Sequence, residues 1–202
     1  MRRFNQVKSF KIGFEDKCIR LFVEAYNQSV IDKSIRLDWN ENDITGQLHE
    51  YIEVNPLRKK NPPVTTNVEH HLSNKSVEKV RGFTSKNSRI DLRFVTFNSE
   101  DECKVFFEAK NLKEKSYALK RRYIDTGIDN FITKKYPLGF LVGYLLEGAV
   151  NPTIDGVNYL LKNKKREKEY LYSKKHDIVQ YYYVSYHSGL CLKHLIFDFT
   201  VL

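Results

Sequence analysis

Apolar residues recur at helical spacing in two early segments and then switch to the alternation of strands. Over residues 15–32, Ile19, Phe22, Val23, Tyr26 and Val30 fall three or four positions apart and predict an amphipathic helix. A second helix is predicted from Glu41 to Val54, with Asn40 as its N-cap and Ile44, Leu48, Tyr51 and Ile52 as its apolar stripe. Asn55-Pro56 should end it, and LRKKNPP reads as a basic, proline-broken loop. Residues 64–72 read as a strand, and 88–97 alternate, with Ile90, Leu92 and Phe94 set against Asp91, Arg93 and Val95. The polar run from Asn98 to Glu102 predicts a turn, so CKVFFEAKNL (103–112) should come back as an antiparallel neighbour.

A long helix is predicted next, over 114–135, with Leu119, Tyr123, Ile124, Ile128, Phe131 and Ile132 facing inward and Pro137 stopping it. LGFLVGYLL (138–146) is apolar on both faces, as a central strand covered by helices would be. Residues 153–163 read as a short helix and 162–175 as a charged, weakly patterned stretch. VQYYYVSY and LCLKHLIFDFTV predict a terminal hairpin turning near Ser188-Gly189. The order implies an α/β fold: helices, a run of strands, a helix, another strand, then the hairpin.

Composition narrows the partner. The 202 residues are 41% apolar, enough for one domain with a real core. A net charge of +9 suggests an anionic partner, nucleic acid ahead of an anionic membrane. The N-terminus carries arginines without the apolar stretch of a signal peptide, and residues 138–146 are too short to span a bilayer. Cys18, Cys103 and Cys191 are scattered, with no CxxC pair, which argues against a disulfide framework or a zinc site and for a reducing cytoplasm.

The chemistry concentrates in VFFEAK, 105–110. Phe106, Glu108 and Lys110 share one strand face, so an apolar strand delivers a carboxylate and an ammonium to one point. Glu-x-Lys occurs three times in the chain, but only this one ends an apolar strand. If the preceding strand pairs with it as a hairpin, Asp91 and Glu108 converge on that face. Two converging carboxylates need a cation between them, or one must take a proton. Oxygen donors beside a lysine suit Mg²⁺ or Mn²⁺, not zinc. A salt-bridged cluster at a sheet edge is the other reading of the same residues. His70 and His71 are adjacent on a strand, point to opposite faces, and read as structural.

Asp91, then Glu108-Ala109-Lys110 after sixteen residues, in α-β-β-β-α-β order, resembles the PD-(D/E)XK nuclease superfamily over about 39–147. The proline of the family name is missing, since Ser88-Arg89-Ile90 precedes the aspartate. The resemblance implies a restriction-endonuclease-like core: a mixed four- to five-stranded sheet flanked by helices, with 148–202 as a C-terminal elaboration of a single domain. It implies Mg²⁺ or Mn²⁺ held by Asp91, Glu108 and the Ala109 carbonyl, with Lys110 orienting the attacking water. Glu41, on the inward stripe of its helix, is the preferred further ligand. Glu50, off the stripe, and Glu69 are the other candidates. Lys113, Lys115, Lys120, Arg121 and Arg122 would flank the substrate backbone. The implied activity is Mg²⁺-dependent hydrolysis of DNA in restriction, defence or repair. An RNA-cleaving member or an inactive basic binding module are the alternatives, and a homodimer would suit double-strand cutting.

Overall fold

The computed structural model describes residues 2–71, 89–98 and 101–202. Expectations that fall on 72–88 and 99–100, including the tip of the turn after Asn98, lie outside the described residues, as does the side chain of His71. Helix α1 spans Arg2–Ile31, beginning thirteen residues before the start read from the sequence. Val7, Phe10 and Phe14 carry the three-to-four spacing back across Gly13. Its buried side, including Cys18, Leu21, Phe22 and Ala25, packs onto the sheet, where the Phe22 ring meets Phe107 and Phe197 edge-on at 5.1 Å.

Helix α2, Glu41–Val54, matches its prediction at both ends. The Asn40 side chain accepts from the Asn42 and Asp43 amides at 2.9 and 3.1 Å, and Glu41 and Asp43 lie in the electropositive first turn. Ile44, Leu48 and Ile52, four residues apart, are fully buried, each contributing about 1.5–3 kcal/mol of apolar burial.

Seven strands follow among the described residues: β1 Thr65–His71, β2 Arg89–Asn98, β3 Asp101–Lys113, β4 Phe140–Glu147, β5 Tyr172–Ser173, β6 Tyr182–His187 and β7 Leu190–Asp198. They form one mixed sheet in the order β1-β2-β3-β4-β7-β6-β5. The expectation of four to five strands is therefore corrected to seven. The terminal hairpin is present, but β7 pairs in parallel with β4 (Val142 beside Leu195), which makes the hairpin a continuation of the sheet. The charged stretch adds the short edge strand β5. Sequence shows that β4 is apolar on both faces, but not which strand covers its second edge.

Helices cover both faces. α1 and α2 pack on one side over Leu92, Phe94, Phe107, Ala109, Val142 and Tyr144. On the other lie α3 (Tyr117–Arg122), a π-helical turn (Tyr123–Ile128), α4 (Asp129–Ile132) and α5 (Val150–Asn163), over Leu112, Leu141, Leu145 and Ile196. The helix expected over 114–135 starts later because β3 runs on to Lys113 and Ser116 forms the N-cap. It also changes pitch in its middle. Gly143 on β4 is required by packing: a Cβ there would stand 2.6 Å from Leu112 Cδ1 and 2.8 Å from Ile196 Cδ1.

A chain of polar side chains runs through this second core. Glu169 only accepts, so His187 donates to it from Nδ1 at 2.5 Å. Burial keeps His187 neutral, and its Nε2 accepts from the Ser185 hydroxyl at 2.6 Å. Ser185 Oγ accepts from His194 Nε2 at 2.8 Å, and His194 Nδ1 accepts from the Tyr123 hydroxyl at 2.9 Å. Arg166 joins Glu169 to Asp129 at the outer end, 2.7 Å from each.

Candidate functional site

Strands β2 and β3 are antiparallel and paired as far as Leu92 opposite Phe107; Asp91 follows one residue beyond that last pair, near enough for its charge to act on Glu108. The convergence expected from alternation is thus realised. Asp91 Oδ2 accepts from the Ala109 amide at 2.6 Å, and Lys110 Nζ donates to Glu108 Oε1 at 2.5 Å and to the Ala109 carbonyl at 2.9 Å. Glu108 is 2% exposed and Lys110 6%. The lysine stem rests on the π-helical turn, where a Cβ on Gly127 would sit 3.6 Å from Lys110 Cγ and 2.9 Å from Leu141 Cδ2.

Electrostatically the site holds more negative charge than its lysine can offset. Burial, and then the neighbouring Asp91 charge, push the Glu108 carboxyl up to about 7, against the pull of Lys110 and Tyr136. Burial also raises Asp91, while Lys110 and the Ala109 amide hold it down. Glu41, itself buried, adds a third carboxylate at the start of α2. It accepts from the Asn111 amide at 3.1 Å and pairs with Arg122 at 3.0 Å, and its charge reaches Asp91. Glu50 is exposed. Glu69 is half-exposed, receives a hydrogen bond from Asn42 at 2.8 Å and stands 3.7 Å from Arg89. It lines a cleft of about 210 Å³ with Asn42, Thr45, Val68 and Asp91.

Three buried side-chain polar atoms lack a hydrogen-bond partner among the described residues: Glu108 Oε2, Asn111 Oδ1 and Arg93 Nε. All three belong to β2 or β3, within two positions of Asp91 or Lys110. Buried polar groups are satisfied almost everywhere in folded proteins, so such clustering marks a place built for something else. Among the described residues no three His, Cys, Asp or Glu side chains gather in metal-ligand geometry. The donors here are two carboxylates and a main-chain carbonyl. Glu108 Oε2 is open, whereas Glu108 Oε1 and the carbonyl currently receive Lys110. Hard oxygens around an unfilled acceptor fit a divalent cation such as Mg²⁺.

The basic residues expected to flank a substrate are largely engaged. Lys113 stands 3.9 Å from Glu147, Lys120 donates to the Glu114 carbonyl at 2.6 Å, Arg121 pairs with Asp125 at 3.0 Å and Arg122 with Glu41. Lys115 is exposed and has no such bond among the described residues. Sequence reasoning missed Tyr136, whose ring lies beyond the helix and whose hydroxyl faces Glu108. Burial, then the Glu108 and Asp91 charges, raise that hydroxyl above its ordinary range. It also gave Arg93 no role, although alternation puts it on the Asp91 face.

Elsewhere, Ser185, His187 and Glu169 stand in the order of a nucleophile, a base and a carboxylate. Ser185 is fully buried and already bound on its far side by His194, so it cannot meet a substrate. A cleft of about 610 Å³ lies between the C-terminal ends of α1 and α2 and is lined by Ile31, Val54, Glu24 and Asp32, with none of the cluster residues. No helix among the described residues is long and apolar enough to cross a membrane. No family model, curated protein or solved structure matches the chain.

Proposed function

We propose that the chain is a Mg²⁺-dependent nuclease of the PD-(D/E)XK type, hydrolysing phosphodiester bonds in DNA. The observation that carries this reading is the pairing of half-buried Asp91 with buried Glu108, served by a single ammonium and leaving Glu108 Oε2 without a hydrogen-bond partner among the described residues. Such a pair is unfavourable unless a cation or a proton completes it. Asp91, Glu108 and the Ala109 carbonyl would hold the ion, with Glu41 behind them. When bound, the ion supplies charge neutralisation at the phosphate and at the departing oxygen.

The protein's own side chains account for the remainder. The Asp91 carboxylate is locked by the Ala109 amide, so it presents one fixed oxygen. Lys110, seated on Glu108 and the Ala109 carbonyl, is placed to donate to a water at the same carboxylate and orient it for in-line attack. Tyr136 lies beside Glu108 and favours its ionised form. A role in restriction or defence rests on the family resemblance alone.

The test incubates full-length protein with plasmid, linear duplex, single-stranded DNA and RNA, with and without Mg²⁺. Metal-dependent cleavage of DNA that vanishes in Asp91→Ala and in Glu108→Ala is the expected result. Cleavage of RNA alone would reassign the substrate. Absence of metal-dependent cleavage on all four substrates would reduce the chain to a binding module.

A further inference from the structure

Arg93 is held as though for an anion. It lies two positions after Asp91 on β2, so both side chains leave the same sheet face, about 7 Å apart along the strand. Across the strand pair it faces Phe106, which shares that face with Glu108. Its guanidinium is clamped from β1: Nη1 donates to His70 Nε2 at 3.0 Å and Nη2 to Asn67 Oδ1 at 2.8 Å. An arginine only donates, so His70 accepts through Nε2 there. Both clamps are neutral acceptors, and they fix the plane of the guanidinium without cancelling its charge. Arg36, Arg58, Arg89, Arg121, Arg122 and Arg166 each pair with a carboxylate, whereas Arg93 has none within ion-pair distance among the described residues. Asp91 is turned away, tied to the Ala109 amide. The Arg93 Nε–H is buried and has no acceptor among the described residues.

Among the described residues the sheet face therefore presents an acceptor without a donor, Glu108 Oε2, and a donor without an acceptor, Arg93 Nε. A cation at the first and an anion at the second would satisfy both. We propose that Arg93 binds a phosphate of the nucleic-acid backbone beside the reacting one, and so sets the strand's register on the Asp91–Glu108 site. This rests on the nuclease reading above. A rigid guanidinium fork matches phosphate oxygens in a way that a lysine does not, and a fixed phosphate contact positions the chain without selecting a base.

The experiment measures binding of a fluorescein-labelled 16-base duplex and its single strand to wild type, Arg93→Gln and Arg93→Lys over a salt series. Ca²⁺ replaces Mg²⁺ in these titrations to hold back cleavage. Calorimetric Mn²⁺ titrations and melting curves accompany each protein. Arg93→Gln should weaken binding about tenfold and lower the salt slope by about one, with Mn²⁺ affinity unchanged. Arg93→Lys should keep the slope and still lose several-fold in affinity, which separates loss of the fork from loss of fold if Arg93→Gln melts early. Wild-type affinity and slope in both variants would overturn the proposal while leaving the nuclease reading intact. Arg93-dependent binding of inorganic phosphate without oligonucleotide binding would also overturn it, in favour of a free phosphate. Wild-type protein that neither binds Mn²⁺ nor cuts fails the nuclease reading itself, by measurements that do not involve Arg93.

Discussion

Glu108 and Lys110 sit two positions apart on one strand, yet they are held by different forces and should respond differently to substitution. Glu108→Gln removes an anionic oxygen donor, so Mn²⁺ affinity should fall by at least tenfold. Lys110→Met removes the ammonium now resting on Glu108 Oε1 and the Ala109 carbonyl, so Mn²⁺ should bind at least as tightly while turnover collapses by orders of magnitude. A salt-bridged cluster with no metal role would show neither change in calorimetry, and both variants would simply be less stable. The Glu108 carboxyl offers a second check. Its value of about 7 owes more to burial than to any neighbour, and next most to Asp91. Carboxyl-carbon NMR of the ion-free protein should find one glutamate titrating near neutrality. Asp91→Asn should move it down, because the repelling charge is gone. A glutamate that stays put in that variant would separate the two carboxylates. The alternation of β2 and β3 made this pair legible from sequence, since register needs only the strand period and the turn between them. Tyr136 was not legible, because twenty-seven residues and a helix separate it from Glu108 in the chain.

At the scale of elements, the polar chain from Tyr123 through His194, Ser185 and His187 to Glu169 ties the π-helical turn to β6, β7 and the segment before β5. Ser185→Ala should cost about 2–4 kcal/mol, since it leaves two buried imidazole nitrogens without their hydroxyl partner. Urea unfolding at pH 7 measures it. Burial holds His194 down to about 3, against 6.5 for an ordinary histidine. The unfolded chain therefore takes up a proton below pH 6.5 that the folded one refuses until near pH 3. Stability from this group is complete above 6.5 and is lost as pH falls, by about 1.4 kcal/mol per unit well inside the window. Glu108 acts in the opposite sense between about 7 and 4.5, because there the folded form binds the extra proton. Comparing wild type with His194→Gln at each pH cancels the Glu108 contribution. The wild type should lose its advantage between pH 6.5 and 5, and a pH-independent difference would refute the assignment. Sequence could not reveal this chain, because its members come from a π turn, two strands and a single-turn helix.

For the whole molecule, the parallel contact between β4 and β7 makes residues 190–198 part of the sheet that carries the site. Ending the chain before β5 would strip a buried, two-sided apolar strand of its neighbour. We expect a 1–165 fragment to be insoluble or unfolded by circular dichroism, whereas an independent core over 39–147 would survive the cut. The charge of +9 is likewise a property of the whole surface. Because Lys113, Lys120, Arg121 and Arg122 are engaged, Arg121→Ala should barely move the salt slope of DNA binding, while Lys115→Ala should lower it by up to about one. Equal losses in the two variants would mean that the ion pairs open when DNA binds.

What the sequence determined by itself was local and periodic. The bounds of α2 followed from Asn40 and Asn55-Pro56, the hairpin turn from Ser188-Gly189, and the facing of Asp91, Glu108 and Lys110 from a two-residue period that any strand must obey. Strand number and order, the pairing of β7 with β4, the commitment of Arg121 and Arg122 to carboxylates, and the placing of Tyr136 beside Glu108 belonged to tertiary structure alone. Each depends on which distant segments share a buried surface. Hydrophobic burial is non-directional, so the pattern of a segment records that it must be covered and not by what.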